Sequence, residues 1–326
     1  MFLVSTDGSL LVSPVSLSLS RNALKERKRV EQLMADKYGL EIKCAPFKFV
    51  GGQVLQTDKR TIIPKWFADP WTFIVDGTAD YRSASARLLG MRTRDYSADN
   101  TWLKDEMKKR FGREIEEVPD PREVYRNYGM SVDITSEFYP LRGHLDMIMT
   151  PVGENRLLVG DNQKGLEIFQ SLDEAEIRPY TQAMTEHLLE YESRGVADAF
   201  NSAVHALRSG RTEIPTIIDA KPSDDIGRVT REAEEFCEKH HGSVQRIPAL
   251  VAPISGIGLA YNNAIVQDAT GAKIAIVPEF GIKALDREAH AVFQKHGYRT
   301  VPVPFTEISY YGAGPHCMAL EIREPV

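Results

Sequence analysis

A cysteine close to the C-terminus follows a loop of small residues. Residues 311–318 read YGAGPHCM, so that Gly312, Gly314 and a proline precede His316 and Cys317. A thiolate is a strong nucleophile, and the glycines leave the room that a reacting carbon centre needs in order to approach it. The segment therefore predicts Cys317 as a candidate nucleophile.

Such a thiol needs a base, and two histidines are candidates. His316 adjoins Cys317, and neighbouring side chains on an extended segment point to opposite faces, so we expect His316 to pack or to fix the loop. His144 and Asp146, in RGHLDMIMTPV, are two residues apart on a predicted strand and share one face. Because a carboxylate orients an imidazole and raises its basicity, this pair is the better candidate. For the HxD pattern alone, a half-buried strand edge with a solvated aspartate is the simpler interpretation.

The other patterns that could bind a ligand are weaker. The pair Gly51-Gly52 in FVGGQVLQT lacks the order of a phosphate loop, and neither glycine cluster opens a helix as a dinucleotide motif does, so nucleotide binding is disfavoured. The sequence has no second histidine–carboxylate cluster to complete a metal site, so we predict neither a metal nor another cofactor. Cys44 and Cys237 are interpreted as structural or core residues.

Composition places the chain among large globular proteins. Its 326 residues are 42% hydrophobic, which is enough for a large core, and its net charge of −6 disfavours nucleic acid as a partner. Three cysteines without a CxxC pair predict free thiols in a reducing compartment. Because the N-terminus lacks a secretion-signal pattern and no apolar run is long enough for a membrane span, we expect a cytoplasmic protein with no membrane partner.

Short strands alternate with helices over the whole length, without a low-complexity linker. Apolar runs predict strands that include HLDMIMTPV, RLLVG and a terminal CMALEI. A helical composition from Asp173 to Ser209 predicts an insertion around 171–210. Amphipathic packing is its simpler interpretation; a lid or an oligomer contact is the alternative, so a homo-oligomer stays open. We predict one α/β domain over 1–326, with a repeating unit of strands plus one helix.

The order of the motifs resembles that of the guanidino-group-modifying enzymes. A GG-containing strand near position 50, GHLD at 143–146, YNNAIV followed by IAIVPEFG, and GAGPHC at 312–317 occur in that order. This superfamily includes agmatine and arginine deiminases, bacterial peptidylarginine deiminases and amidinotransferases. The resemblance implies the pentein fold, an α/β propeller of five pseudo-symmetric strand–helix units around a central active site.

The resemblance also implies roles for individual residues. It makes Cys317 the nucleophile, His144 the general acid/base and Asp146 the carboxylate that binds the substrate guanidinium, with Asn263 and Gly314 also in the substrate site. The expected partner is a small guanidino substrate such as arginine or agmatine. Attack by the thiolate gives a covalent amidino-cysteine intermediate, which water converts to product in a deiminase.

The chain departs from the family pattern at two carboxylates. An aspartate that precedes the first strand in the deiminases has no counterpart, and Val50 stands where agmatine deiminases have a glutamate before the glycine pair. Asp69 and Asp161 are the candidate substitutes for binding the cation. Two alternatives stay open: an amidinotransferase, in which an amine accepts the amidino group, and a non-catalytic protein with a guanidinium pocket. Retention of the full cysteine, histidine and aspartate set argues against the second.

Overall fold

The computed structural model of the chain has a mixed α/β fold. Its contacts separate two compact units, Met1–Glu117 with Leu320–Val326 and Val118–Ala319. The expectation of a single catalytic domain over 1–326 stays a prediction. The structure describes residues 2–5, 7, 9–12, 21–45, 52, 54–56, 60–64, 101–118, 145–153, 156–210, 244–252, 257–269, 272–311 and 314–319.

The described part of the first unit contains two three-stranded sheets and two helices. Its elements in chain order are β1 (Phe2–Val4), β2 (Leu10–Val12), α1 (Arg21–Tyr38), β3 (Ile42–Cys44), β4 (Leu55–Gln56), β5 (Arg60–Pro64), α2 (Thr101–Phe111) and β6 (Glu114–Val118). Strands β1 and β2 are antiparallel, and β3, which follows α1, lies parallel to β2. Strands β4 and β5 are also antiparallel, and β6, which follows α2, lies beside β5.

The second unit begins, within the described residues, at a short 3-10 helix and ends at the helix that carries Cys317. Its elements in chain order are the 3-10 helix Leu145–Met147, β7 (Met149–Pro151), β8 (Leu157–Asp161), α3 (Asn162–Ser171), α4 (Glu174–Tyr191), α5 (Arg194–Arg208), β9 (Val244–Ala252), β10 (Ile257–Ala260), β11 (Ile265–Ala269), β12 (Ala272–Glu279), α6 (Lys283–Lys295), β13 (Arg299–Pro304), the 3-10 helix Glu307–Tyr311 and α7 (Pro315–Met318).

The sheets of the second unit repeat the arrangement of the first. One has the order β10-β9-β8-β7 and the other β11-β12-β13. Strands β7 and β8, β9 and β10, and β11 and β12 pair antiparallel, whereas β8 and β9, and β12 and β13, pair parallel across helical connections. A hairpin, a helix and a third strand thus follow one another in four sheets of the described residues. This confirms the predicted alternation of strands and helices, while the five-unit propeller stays a prediction.

The predicted insertion around 171–210 contains the helices α4 and α5. Helix α4 begins with a capping box, in which Asp173 and Glu176 exchange side-chain to backbone hydrogen bonds of 2.9 Å. Its buried residues recur every three or four positions, so the helix packs through one amphipathic face: Ile177, Tyr180, Met184 and Leu188. They belong to the same hydrophobic cluster as Phe293 of α6. No helix in the described ranges combines the length and the apolarity that crossing a membrane requires.

Two segments that were predicted as strands form helical turns at residues of the candidate site. In HLDMIMTPV the strand starts only at Met149, because Leu145–Met147 forms a 3-10 helix in which Ile148 N donates to Leu145 O at 2.9 Å. All three residues of that helix are at most 2% exposed, which an alternating strand with one solvated face does not allow. In the predicted strand CMALEI, the first two residues are helical; from residue 320 onward the segment lies outside the described residues.

Candidate active site

Asp146 is held in the interior of the second unit. Asp146 is 1% exposed. Asn262, which follows β10, donates from Nδ2 to the Asp146 backbone oxygen at 2.8 Å. The hydroxyl of Thr150 in β7 donates in turn to the backbone oxygen of Asn262. These hydrogen bonds connect β7 to the turn after β10, so the Asp146 carboxylate has a defined position in a low-dielectric environment.

Helix α7 brings two side chains to one oxygen of this carboxylate. The Cys317 thiol donates to Asp146 Oδ2 at 3.0 Å, and His316 Nδ1 lies 2.9 Å from the same oxygen. Pro315 occupies the first position of α7, where its fixed φ suits a helix and its missing N–H costs nothing. The interpretation of His316 as pointing away from the thiol assumed an extended segment, and it is wrong because the segment is helical.

The environment of Cys317 favours the neutral thiol. The pKa of Cys317 is raised well above its ordinary value. Burial is the largest cause, followed by the negative charge of Asp146 and by the hydrogen bond to Asp146. Hydrogen bonds that involve the Gly314 backbone and the Asn263 side chain lower this pKa, but by less. The neutral thiol is therefore the favoured form of Cys317 in this environment.

Asn263 lies directly against the thiol. Its Oδ1 accepts hydrogen bonds from the backbone N–H groups of His316 at 3.0 Å and Cys317 at 3.2 Å. Its Nδ2 donates to Cys317 Sγ at 3.1 Å and to Met147 Sδ at 3.3 Å. The predicted role of Asn263 in substrate binding stays a prediction, whereas its contacts with the nucleophile are direct.

Gly314 lies where a side chain has no space. A Cβ atom at this position falls 2.6 Å from Asn263 Oδ1 and 2.7 Å from its Cβ and Cγ atoms. Real Cβ contacts are not this short, so the glycine allows α7 to approach Asn263 closely. The predicted place of Gly314 in the substrate site stays a prediction; a Cβ at this position would overlap Asn263.

The remaining predicted site residues fall into two groups. His144 and Asp69 lie outside the described residues, and their assigned roles stay predictions. Asp161 is buried; it caps α3 by accepting from Lys164 N at 2.9 Å, and it pairs with Arg246 at 3.1 Å. These contacts give Asp161 a structural role and disfavour it as a substitute carboxylate. Within the described ranges, no group of three or more His, Cys, Asp or Glu side chains could hold a metal ion.

Sequence reasoning did not find the role of Asn262. The stretch NNAIV predicts a strand that begins at Asn262, whereas in the structure residues 261–262 form a turn and β11 begins only at Ile265. Both asparagines are fully buried, and their partners are remote in sequence: Asp146 is 116 positions from Asn262, and Cys317 is 54 positions from Asn263. Adjacent polar residues inside an otherwise apolar stretch were the available signal.

The comparisons with known proteins establish no family for this chain. No protein-family profile matches the sequence, and the comparison with curated proteins finds no match. A structure of the agmatine deiminase of Enterococcus faecalis catalyzing its reaction is similar to this chain at a TM-score of 0.46 and 10% sequence identity, over 95% of this chain and 68% of that chain. A similarity at that level carries no argument about fold or function. The class of site is therefore defined by its geometry, a partly buried thiol and an imidazole on one buried carboxylate.

Proposed function

We propose that the protein is a cysteine-dependent hydrolase that acts on a small guanidino compound such as arginine or agmatine. The observation that carries the proposal is the buried Asp146 carboxylate, 3.0 Å from the Cys317 sulfur. A negative charge there repels the oxyanion that forms when a thiolate attacks an acyl carbon. A guanidinium has the opposite charge and a planar set of N–H donors that a carboxylate accepts, so it complements this site.

The backbone around the thiol supports the same choice of substrate class. Acyl-transfer enzymes stabilise an oxyanion with preorganised N–H donors close to the nucleophile. Here the N–H groups of His316 and Cys317 both donate to Asn263 Oδ1, at 3.0 and 3.2 Å. Attack on a guanidinium carbon creates no oxyanion, because the nitrogens carry the charge, and it does not need these donors.

In the proposed reaction the substrate activates its own nucleophile. A guanidinium beside Asp146 offsets the carboxylate charge that raises the Cys317 pKa, and it stabilises the thiolate. The thiol proton passes to a base, for which we propose His144 from the sequence resemblance. The sulfur–carbon bond forms, a carbon–nitrogen bond breaks, and the leaving nitrogen takes a proton from the same imidazole.

Water then completes the proposed cycle. It attacks the carbon of the amidino-cysteine, the carbon–sulfur bond breaks, and a ureido product leaves while the thiol is restored. An amidinotransferase differs in the carbon–nitrogen bond that breaks first: the substituted amine leaves in place of ammonia, and an acceptor amine then takes the amidino group from the cysteine. Both reactions begin with the same attack by the thiolate, so product analysis is needed to separate them.

A substrate screen tests the proposal. The purified protein is incubated with arginine, agmatine, methylarginine and peptidyl arginine, and ammonia and ureido products are measured against a Cys317→Ala control. We expect a ureido product from at least one compound with the unaltered protein and none with the variant. A product that forms only when an amine acceptor is added indicates an amidinotransferase. Thermal stabilisation by a guanidino compound without any product indicates a binding protein and contradicts the proposal.

A further inference from the structure

We propose that Asn263 is a positioning residue that holds the nucleophile through both ends of its carboxamide. The oxygen fixes the start of α7, and the nitrogen fixes and polarises the sulfur of Cys317. The proposal rests on the proposed role of Cys317 as nucleophile. It gives Asn263 a function that does not require contact with the substrate.

The oxygen of Asn263 acts as a helix cap supplied from a distant part of the chain. The first N–H groups of a helix have no partner within it, and they are usually satisfied by a side chain at the N-cap. The N-cap of α7 is Gly314, which has no side chain for this purpose. Asn263 Oδ1 accepts instead from the N–H groups of His316 and Cys317, at 3.0 and 3.2 Å.

This arrangement determines the orientation of the carboxamide. A backbone N–H can only donate, so the atom that faces the two N–H groups must be the carbonyl oxygen. The NH₂ group must then face the other way, where it meets two sulfur atoms, Cys317 Sγ at 3.1 Å and Met147 Sδ at 3.3 Å. Rotation of the carboxamide by half a turn would break the contacts with α7, so the donor stays directed at the nucleophile.

The hydrogen bonds that link Cys317 Sγ to Asp146 and to Asn263 respond in opposite ways to loss of the thiol proton. The hydrogen bond to Asp146 requires the thiol proton and disappears when the thiolate forms. The hydrogen bond from Asn263 Nδ2 strengthens, because its acceptor becomes charged. Asn263 thus stabilises the reactive form and keeps the sulfur in place during the attack on the substrate carbon.

The packing around Asn263 makes one substitution especially informative. The residue is fully buried, and its side chain lies close against Gly314. Asn263→Asp has nearly the same shape and keeps an acceptor for the helix N–H groups. It replaces the donor that faces Cys317 by a second carboxylate oxygen. The change therefore separates the capping role, which is kept, from the sulfur-donor role, which is lost.

The test is the pH dependence of Cys317 alkylation by iodoacetamide, followed by peptide mapping with mass spectrometry. Removal of the donor and addition of a negative charge should move the midpoint in Asn263→Asp to higher pH and slow alkylation at pH 8 at least about tenfold. The matched control is Asn162→Asp, at the start of α3, where the buried side chain accepts from Val251 N at 2.8 Å. The control should keep the alkylation profile of the unaltered protein.

A second variant guards against failure of the first to fold. Asn263→Ala removes the donor without adding a charge, and it too should move the midpoint to higher pH while circular dichroism shows a native spectrum. A folded Asn263→Asp or Asn263→Ala protein with the unaltered midpoint and rate overturns the proposal. The alkylation assay uses no guanidino compound, so it tests Asn263 independently of the proposed substrate. If the alkylation midpoint shifts in the variants but the unaltered protein converts no guanidino compound, the role of Asn263 is upheld and the guanidino assignment is rejected.

Discussion

Two buried aspartates of the second unit contact the same short segment, Tyr261 to Asn263, with different consequences. Asp286 in α6 accepts from the Tyr261 hydroxyl at 2.7 Å and from Phe280 N at 3.0 Å, both at Oδ1. Asp146 meets the segment through its backbone oxygen, to which Asn262 donates, and its carboxylate contacts the Cys317 thiol instead. Both aspartates are almost inaccessible to solvent.

The partners of the two carboxylates distinguish a structural role from a chemical one. Burial raises the pKa of Asp286, and burial also raises the pKa of Tyr261 well above its ordinary value, so the Tyr261 hydroxyl keeps the proton that it donates to Asp286. The partners of Asp146 are a thiol and an imidazole, which are groups that act as nucleophiles and proton carriers. Burial and a raised pKa are therefore not sufficient to identify an active site.

One cavity of the described residues lies at Asp286 rather than at the thiol. A cavity of about 800 Å³ borders Asp286 and is lined in part by Glu279 and His290, whose side chains pair at 3.1 Å. Neither Cys317 nor Asp146 lines that cavity. The comparison of the two aspartates therefore depends on which groups each carboxylate contacts, and substitutions can test it directly.

The largest expected effect is on catalysis. Cys317→Ala removes the proposed nucleophile, and turnover should fall by at least about a thousandfold because no other group forms the covalent intermediate. The melting temperature should change little, since the Cys317 side chain is small and only partly buried. Steady-state assays and a thermal scan measure both quantities. A variant that keeps most of its turnover would remove covalent catalysis by this cysteine.

The second-largest expected effect is on the ionisation of the Cys317 thiol. Burial raises the pKa of Cys317, and Asp146 raises it further by its charge and its hydrogen bond. Asp146→Asn removes the charge, and the midpoint of iodoacetamide alkylation should move to lower pH by about 1–3 pH units. Turnover should nevertheless decrease, because the guanidinium loses its partner.

Asp286→Asn is the matched control for that change. It replaces another buried carboxylate that contacts the same segment, and it should leave the alkylation midpoint of Cys317 unaltered. Equal shifts in both variants would mean that the thiol responds to a general loosening of the fold rather than to Asp146.

Asp286→Ala should instead reduce stability. The change leaves the Tyr261 hydroxyl and the Phe280 N–H buried without their acceptor, at a cost of about 2–5 kcal/mol in the free energy of unfolding. Urea titration followed by circular dichroism measures this value. A loss below about 0.5 kcal/mol would show that Asp286 is not the structural counterpart proposed here.

The smallest effect is expected at Gly314. In Gly314→Ala the new methyl group overlaps Asn263, which should cost about 1–3 kcal/mol and slow the alkylation of Cys317. Gly195→Ala, in helix α5, is the control; there an added Cβ would meet Ser193 Oγ at 3.9 Å, which is an ordinary van der Waals contact. That variant should gain up to about 1 kcal/mol from helix propensity. Equal losses in both variants would contradict close packing at Gly314.

Local patterns in the sequence predicted part of this picture. The alternation of strands and helices, the amphipathic helices of 174–208 and the thiol behind a glycine loop are all visible in the residues themselves. The 3-10 helix at Asp146 and the helix at Cys317 are not, because distant contacts accompany each of them: Asn262 bonds the Asp146 backbone, and Asn263 caps α7. Apolar periodicity over eight residues cannot separate a strand from such a turn.

The central claim is that Asp146 makes Cys317 a site for a planar cation. The most direct measurement compares alkylation by a haloacetamidine, a planar cation with a leaving group, and by the uncharged haloacetamide, with peptide mapping of Cys44, Cys237 and Cys317. The account predicts that the cation labels Cys317 much faster than the other two thiols, that the neutral reagent shows far less preference, and that Asp146→Asn removes most of the difference. Equal labelling of the three cysteines by both reagents would contradict it.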